Sequence, residues 1–316
     1  MTDYTHLCAI SDGRAGNARQ ADALAAALAH GDHDRCTLAP RAPWRWLAPR
    51  RLPGGAGAFG AAFARLLAAP PALAIGCGRQ AALATRLLRA RGAKAVQILD
   101  PRLDPAHWDL VVAPLHDGLS GANVITTLGG LHPVDDAWLA RARTQFAALE
   151  TLPRPRTALL LGGDSAHARF DLAAFEALAS LLDAALARGG GSVLATASRR
   201  TPPDVRAALR RRYGDTPGLA WCDTADGPNP YPGLLAWADR IVCSPDSVNM
   251  ISEACATHAP VFVFEPARVQ GRPRRFLGAL LAGDRIRAMD AALDAFDVEP
   301  LRETARVAAE IRQRLA

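Results

Sequence analysis

Two loops of this chain place glycine and polar side chains directly after a short apolar run, a pattern that lets backbone close around an anion or a carbonyl, and a third follows such a run with Ser, Pro and Asp. In SDGRAGNARQ, Gly13 and Gly16 permit tight backbone geometry and close approach of a ligand. The amides that follow would point out of a helix start. The same residues also read as a capped helix, with Asn17 as the cap and Gln20 three residues on completing a capping-box-like pair. The spacing is neither a dinucleotide fingerprint nor a P-loop, and no lysine follows to meet phosphate. In LGGDSAHARF, Gly162 and Gly163 are again placed for backbone approach, beside Asp164, Ser165 and His167. A helix capped at Asp171 accounts for much of that polarity equally well.

The segment VCSPDSVNMISEACATHAPVFVF carries the most information. An apolar run ends at Cys243, Ser244 and Pro245 turn the chain, and Asp246 or Ser247 can cap a helix. At about 100° per residue, Asp246, Asn249 and Glu253 share one face, and Val248, Ile251 and Cys255 the other. Such a helix could hold a phosphate at its N-terminus and a ribose on the carboxylate, or simply expose a solvated polar face. Other groups at strand ends are Asp100, His116 with Asp117, and His132, each a candidate general base or a turn residue. Ser198, Arg199 and Arg200 could clamp a diphosphate, arginine being suited to bidentate contact. Exposed arginines in an arginine-rich chain are the plainer explanation.

These loops need elements to hold them, and the chain alternates short apolar runs with helical patterns. Strands are expected at residues 6–10, 72–75, 95–99, 110–113 and 123–126, and helices at 17–29, 59–68 and 80–90. After the proline-bearing LPRPRT a second series begins: strand TALLL, helix 171–188, strand 192–196, helix 203–212 and strand 219–221. It continues with helix 234–238, strand 240–243, helix 247–257 and strand 261–264. A terminal amphipathic helix over 300–316 carries Leu301, Ala305, Ala308, Ile311 and Leu315 on one stripe. Apolar strands between helices imply parallel sheets covered on both faces. The expected fold is therefore α/β, two doubly wound Rossmann-like domains with a ligand in the cleft between them. The first spans 1–150, completed by helix 300–316, and the second spans 151–299.

Composition narrows the partners. The 316 residues are 50% apolar and 22% charged with a net charge of +6, as expected of a soluble protein with a sizeable core. No apolar run approaches the roughly 18 residues needed to cross a bilayer, and the first residues lack a basic segment and apolar stretch of an export signal. The six cysteines are dispersed without a CxxC pair, which fits buried free thiols in a reducing cytoplasm and argues against structural zinc. Lys94 is the only lysine among 37 basic residues, and the arginines are spread along the chain, so no nucleic-acid partner is expected. In residues 40–55, PRAPWRWLAPRRLPGG, two tryptophans stand among arginines. That mixture suits an anionic lipid interface, while core tryptophans beside surface arginines are the alternative.

Taken in order, SDGRAGNARQ, APLHDG, TTLGGLHPV, LLLGGDS, TASRRTP and SPDSVNMISEA resemble the bacterial branch of the plant mitochondrial fission "elongated mitochondria" family. The resemblance covers nearly the whole chain. It is similar in layout to GT-B glycosyltransferases, especially the enzyme that adds N-acetylglucosamine from UDP to the peptidoglycan lipid precursor. That resemblance implies a nucleotide-sugar on the second domain, as substrate and without a cofactor or metal. Gly162 and Gly163 match the phosphate loop, and Ser247, Asn249 and Glu253 match the helix, Glu253 as the ribose ligand. Ser198, Arg199, Ser244 and Asp246 complete the expected nucleotide-sugar site. Gly13, Gly16, Asn17 and Gln20 form the acceptor-side loop. The relatives carry a histidine, a plausible base, where this chain has Asn17. An amide cannot accept a proton, so Asp12, His116 or Asp117 would have to serve. The expected activity is inverting, metal-independent transfer to an envelope-related acceptor, which could be lipid-linked at the inner membrane surface. The alternatives are a non-catalytic binding or scaffold protein and a sugar-nucleotide 2-epimerase.

Overall fold

Residues alternate their facing along a strand, so a strand buried on both sides must be apolar throughout. The first strand, β1 (Leu7–Ser11), is buried throughout and apolar over Leu7–Ile10, with Ser11 the one polar residue at its end. Leu7 and Ala9 pack with Leu24, Ile75, Val307 and Ile311 on one face, and Cys8 and Ile10 pack with Phe63, Leu83 and Leu88 on the other. A computed structural model describes residues 6–29 and 32–316. Residues 1–5, the first half of the stretch MTDYTHLCAI on which the reading against an export signal rests, lie outside the described residues.

The first half continues with α1 (Ala15–Leu28), β2 (Asp34–Thr37), α2 (Trp44–Leu47), α3 (Ala61–Ala68), β3 (Leu73–Cys77) and α4 (Arg79–Arg89). Three further strands follow, β4 (Lys94–Ile98), β5 (Leu110–Pro114) and β6 (Val124–Thr127). All pair in parallel in the order β2-β1-β3-β4-β5-β6. The order reverses between β1 and β3, the place where open α/β sheets leave a crevice at their C-terminal edge.

The second half consists of α5 (Asp136–Gln145), β7 (Arg156–Leu161), α6 (Leu172–Gly189), β8 (Ser192–Ala197), α7 (Pro203–Tyr213) and β9 (Gly218–Trp221). It goes on with α8 (Tyr231–Trp237), β10 (Arg240–Cys243), α9 (Val248–Cys255), β11 (Val261–Val263), α10 (Gly271–Ala282) and β12 (Ile286–Ala288). The last helix is α11 (Thr304–Leu315). The second sheet is also parallel, ordered β12-β11-β10-β7-β8-β9, and it reverses between β7 and β10.

The chain forms two compact units, residues 1–133 with 302–316, and residues 134–301. A boundary after residue 150 is therefore displaced. The helix α5, absent from the sequence reading, belongs to the second unit, where Arg143 donates from Nε to the carbonyl of Ala236 at 2.9 Å. The terminal helix packs on α1 in the first unit, and its packed stripe is Val307, Ala308, Ile311 and Leu315. Ala305 is exposed, and Leu301 precedes the helix with its amide on the carbonyl of Cys255 in the second unit. Among the described residues no helix is long and apolar enough to cross a membrane.

Candidate functional site

Both loops at the switch point of the second sheet are built into a single cradle. The loop after β7 contains Gly162 and Gly163, and the loop after β10 contains Ser244, Asp246 and Ser247. Gly162 donates its amide to Ser244 Oγ at 2.7 Å, and Gly163 donates to Asp246 Oδ2 at 2.9 Å. Ser244 Oγ in turn donates to Asp246 Oδ1 at 2.7 Å. These two amides were expected to face phosphate; the structure gives them to the neighbouring loop. Only glycine fits there, because a Cβ on Gly162 would lie 2.2 Å from the Asp246 carboxylate and one on Gly163 would lie 2.1 Å from the carbonyl oxygen of Arg200.

Asp246 is the centre of this cradle. Its side chain is 0% exposed, and Arg200 Nη2 reaches it at 2.8 Å. Arg200 also donates to the carbonyls of Gly163 and Asp164, at 3.3 and 3.2 Å. The expected diphosphate clamp is thus divided: Arg200 braces the loop, and Arg199 stands exposed beside it. Ser198 donates to the Gly162 carbonyl at 2.8 Å, and Thr201 donates to the same oxygen. Asp164 and Ser165 order their own loop through the amides of Phe170 and Ala168. Asp171 caps α6 through the amide of Ala174 at 3.0 Å.

Ser247 caps α9, accepting the Met250 amide at 3.4 Å. Asn249 is half-buried on its first turn. The shared polar face read from periodicity is not open. Asp246 precedes the helix, and Glu253 is buried at 5% exposure with Oε2 accepting the Tyr231 phenol at 2.6 Å. Tyr231, at the start of α8, carried no functional signal in the sequence. Its distance of 22 residues from Glu253 hides the pair, which only the fold brings together.

In the first unit the loop after β1 meets the loop after β3 at that sheet's own reversal. Gly13 has φ +77°, as required for the turn. The helix α1 begins at Ala15 without a side-chain cap, so the capping box read at Asn17 and Gln20 is absent. Gly16 and Asn17 lie inside the helix. Asn17 Nδ2 donates to Asp12 Oδ1 at 3.0 Å and packs against Gly78, where a Cβ would come within 2.4 Å of it. Gln20 is buried, and its Oε1 accepts the Leu131 amide at 3.3 Å. Asp12 also accepts the Arg14 amide at 3.2 Å. His116 and Asp117 follow β5, half-buried, and Asp117 Oδ2 accepts the Asp100 amide at 3.4 Å. Asp100 also accepts the Arg102 amide at 2.8 Å. His132 is buried, its backbone clasped by Thr304 of α11. Asp12, Asp100, His116 and Asp117 therefore lie at the C-terminal edge of one parallel sheet. Among the described residues no three of His, Cys, Asp and Glu gather as a metal-ligand set.

The family model for mitochondrial fission ELM1 matches residues 15–315. The chain belongs to this family. Mitochondrial fission protein ELM1 of Arabidopsis thaliana is 31% identical over 280 residues, spanning 78% of this chain and 64% of the plant protein. Among solved structures, the UDP-GlcNAc 2-epimerase from Neisseria meningitidis bound to UDP-GlcNAc superposes with a TM-score of 0.57 at 14% identity, over 98% of this chain and 99% of that one. The S. aureus MnaA–UDP complex gives 0.53 at 12%, over 98% and 96%. At such identities the likeness establishes the fold: this ELM1-family chain has two Rossmann-like units of the GT-B kind.

Proposed function

We propose that this ELM1-family chain binds a nucleotide-sugar on its second unit and transfers the sugar to an acceptor hydroxyl. The observation that carries the reading is the cradle at the reversal of the second sheet. There a fully buried carboxylate locks the glycine loop to the start of α9, with Arg199 exposed alongside and Glu253 two turns in. The fold neighbours bound to UDP and UDP-GlcNAc support it. In this reading the helix N-terminus and Arg199 take the diphosphate, and Glu253, oriented by Tyr231, takes the ribose hydroxyls. Ser244, Asp246, Ser198 and Arg200 are positioning residues, because their polar atoms are spent on the loop itself.

The transfer is inverting and needs no metal. A general base, for which the chain offers Asp12, His116 or Asp117, removes the acceptor proton. The freed oxygen attacks the anomeric carbon, and the bond to the diphosphate breaks with its electron pair leaving on the phosphate oxygen. The acceptor would be envelope-related. A second reading is binding without turnover, favoured by Asp12, whose carboxylate already accepts from Asn17 and Arg14.

Thermal unfolding with a panel of nucleotides and nucleotide-sugars tests the proposal. A ligand at 100 times its Kd stabilises by about 2.7 kcal/mol. Stabilisation by a uridine nucleotide that disappears in Glu253→Gln is expected, and no shift with any nucleotide would remove the site. Product formation with an acceptor panel separates transfer from binding alone. Solvent deuterium appearing at the sugar C2 would replace transfer by 2-epimerisation.

A further inference from the structure

The arginines that look evenly spread are, over one stretch, unopposed. Between Asp34 and Asp100 the chain carries ten arginines and one lysine, and no Asp or Glu. Ion pairs from this stretch reach back outside it, Arg35 to Asp22 at 2.5 Å and Arg89 to Asp109 at 3.2 Å. Arg41, Arg45, Arg50 and Arg51 are exposed and have no carboxylate partner among the described residues.

The large apolar side chains most exposed among the described residues are Trp46 at 61%, Leu47 at 40% and Leu115 at 61%. Trp46 and Leu47 sit in the middle of those four arginines. The two tryptophans of the segment divide the alternatives left open by the sequence. Trp44 packs against the core that holds Phe59 and Phe63, and Trp46 points outward. The outward loop is braced from beneath. Arg79 donates to the carbonyls of Trp46 and Arg45 at 3.2 and 3.3 Å, and Arg86 donates to that of Pro49 at 2.7 Å. Because the sheet is parallel and Arg79 follows β3 after Gly78 alone, this loop lies at the same C-terminal edge as Leu115, which directly follows β5.

A tryptophan and a leucine held out to water in a ring of unpaired arginines match one environment, the headgroup layer of an anionic bilayer. There the indole rests at the interface, the aliphatic side chain enters the acyl boundary and the guanidinium groups meet phosphates. Single-stranded nucleic acid would use the arginines and the indole ring but has no use for exposed leucines. We infer that residues 41–51 dock the first unit onto an anionic membrane surface, with Trp46 and Leu47 inserted and Arg41, Arg45, Arg50 and Arg51 on headgroups. The inference is independent of the nucleotide-sugar reading.

Co-sedimentation of the full chain with vesicles decides it. Vesicles containing about one-third phosphatidylglycerol should pull the protein down, more weakly as salt rises, and pure phosphatidylcholine vesicles should not. Removing Arg50 and Arg51 together (Arg50→Ala with Arg51→Ala) should lower the partition coefficient by about twenty-fivefold, from about 1 kcal/mol per basic residue. Trp46→Ala with Leu47→Ala should lower it by at least about tenfold. The affected side chains are exposed, so each variant should keep the parent's unfolding midpoint, and Arg41→Gln provides an independent single change in the same direction. No sedimentation with the anionic vesicles, or the same partition in parent and variants, overturns the inference. An oligonucleotide that binds as tightly to Leu47→Ala as to the parent and displaces the vesicles overturns it in favour of nucleic acid.

Discussion

A carboxylate buried beyond water must have its hydration replaced by neighbours, and Asp246 has three: Ser244 Oγ, the Gly163 amide and Arg200. Removing it in Asp246→Ala would leave the Gly163 amide and the Ser244 hydroxyl without their acceptor, at a cost of about 1–3 kcal/mol for each buried group. The reciprocal change is Gly163→Ala, whose Cβ would sit 2.1 Å from a backbone oxygen that has no freedom to swing away. Overpacking of this kind costs about 1–3 kcal/mol, read from urea unfolding, and a parent-like midpoint would show that the loop is not closed as described. The cysteines make a different prediction. The hydrogen bond from Cys8 pulls half-buried Cys36 down to about 7 against the opposing effect of burial, while the partnership with Cys36, then burial, pushes Cys8 up. Burial likewise raises Cys77, Cys222, Cys243 and Cys255. The thiolate is the reactive form, so alkylation of Cys36 should rise roughly tenfold between about pH 6 and about pH 8 while the other five stay slow. Peptide mapping after iodoacetamide checks this, and uniform labelling of all six would contradict it.

At the scale of elements, burial decides both stability and what could be read in advance. Strands such as β3 and β5, buried throughout, appear in the sequence as apolar runs. The edge strand β2 is DRCT and almost wholly exposed, so nothing in its residue types marks it. The helix α10 has a proline in its first turn and β12 only three residues, which leaves each without a usable period. The terminal helix was legible as amphipathic, and Ala308, Ile311 and Leu315 of the expected stripe do pack, but the helix starts at Thr304 and not at residue 300, which leaves Leu301 before it and Ala305 exposed. Ile311 is 0% exposed there, and Ile311→Ala should cost about 2–5 kcal/mol in chemical denaturation. Between β7 and β10 the tie is ionic. Burial alone would raise the Asp239 carboxyl, but the hydrogen bonds from Arg156 outweigh it and hold the group below its ordinary range. Its contribution to stability is therefore fully present above the ordinary carboxylate range and is lost as pH falls through the lowered native value. The destabilisation caused by Asp239→Asn should accordingly be large near pH 7 and shrink toward about pH 3. A penalty that does not change with pH would mean that the pair acts by shape and not by charge.

For the molecule as a whole, the parallel two-sheet fold was legible because buried strands and covering helices alternate twice along the chain. The position of the boundary was not, because the prolines near residue 153 mark a turn inside the second unit and not the linker. The candidate site was half legible. Glycines at strand ends announced the two loops, but that their amides bond to Ser244 and Asp246, and that Glu253 meets Tyr231, follows from contacts between residues far apart in sequence. Each unit closes its own apolar core, around Leu159, Phe175 and Leu209 in the second and around Leu7, Leu24 and Ile75 in the first. Chains of this kind depart from a single all-or-none transition, and a ligand stabilises the cooperative unit that holds its site. Uridine nucleotide at saturation should therefore slow hydrogen exchange at the amides of residues 160–165 and 244–253 and through the β7–β10 core. The strands of the first unit should keep their free-state rates with nucleotide alone. Calorimetry should show the same asymmetry, with the transition of the second unit moving upward by the equivalent of about 2.7 kcal/mol at 100 times Kd. Protection confined to β1, β3 and the residues after them would place the nucleotide on the first unit and reverse the assignment of the two halves.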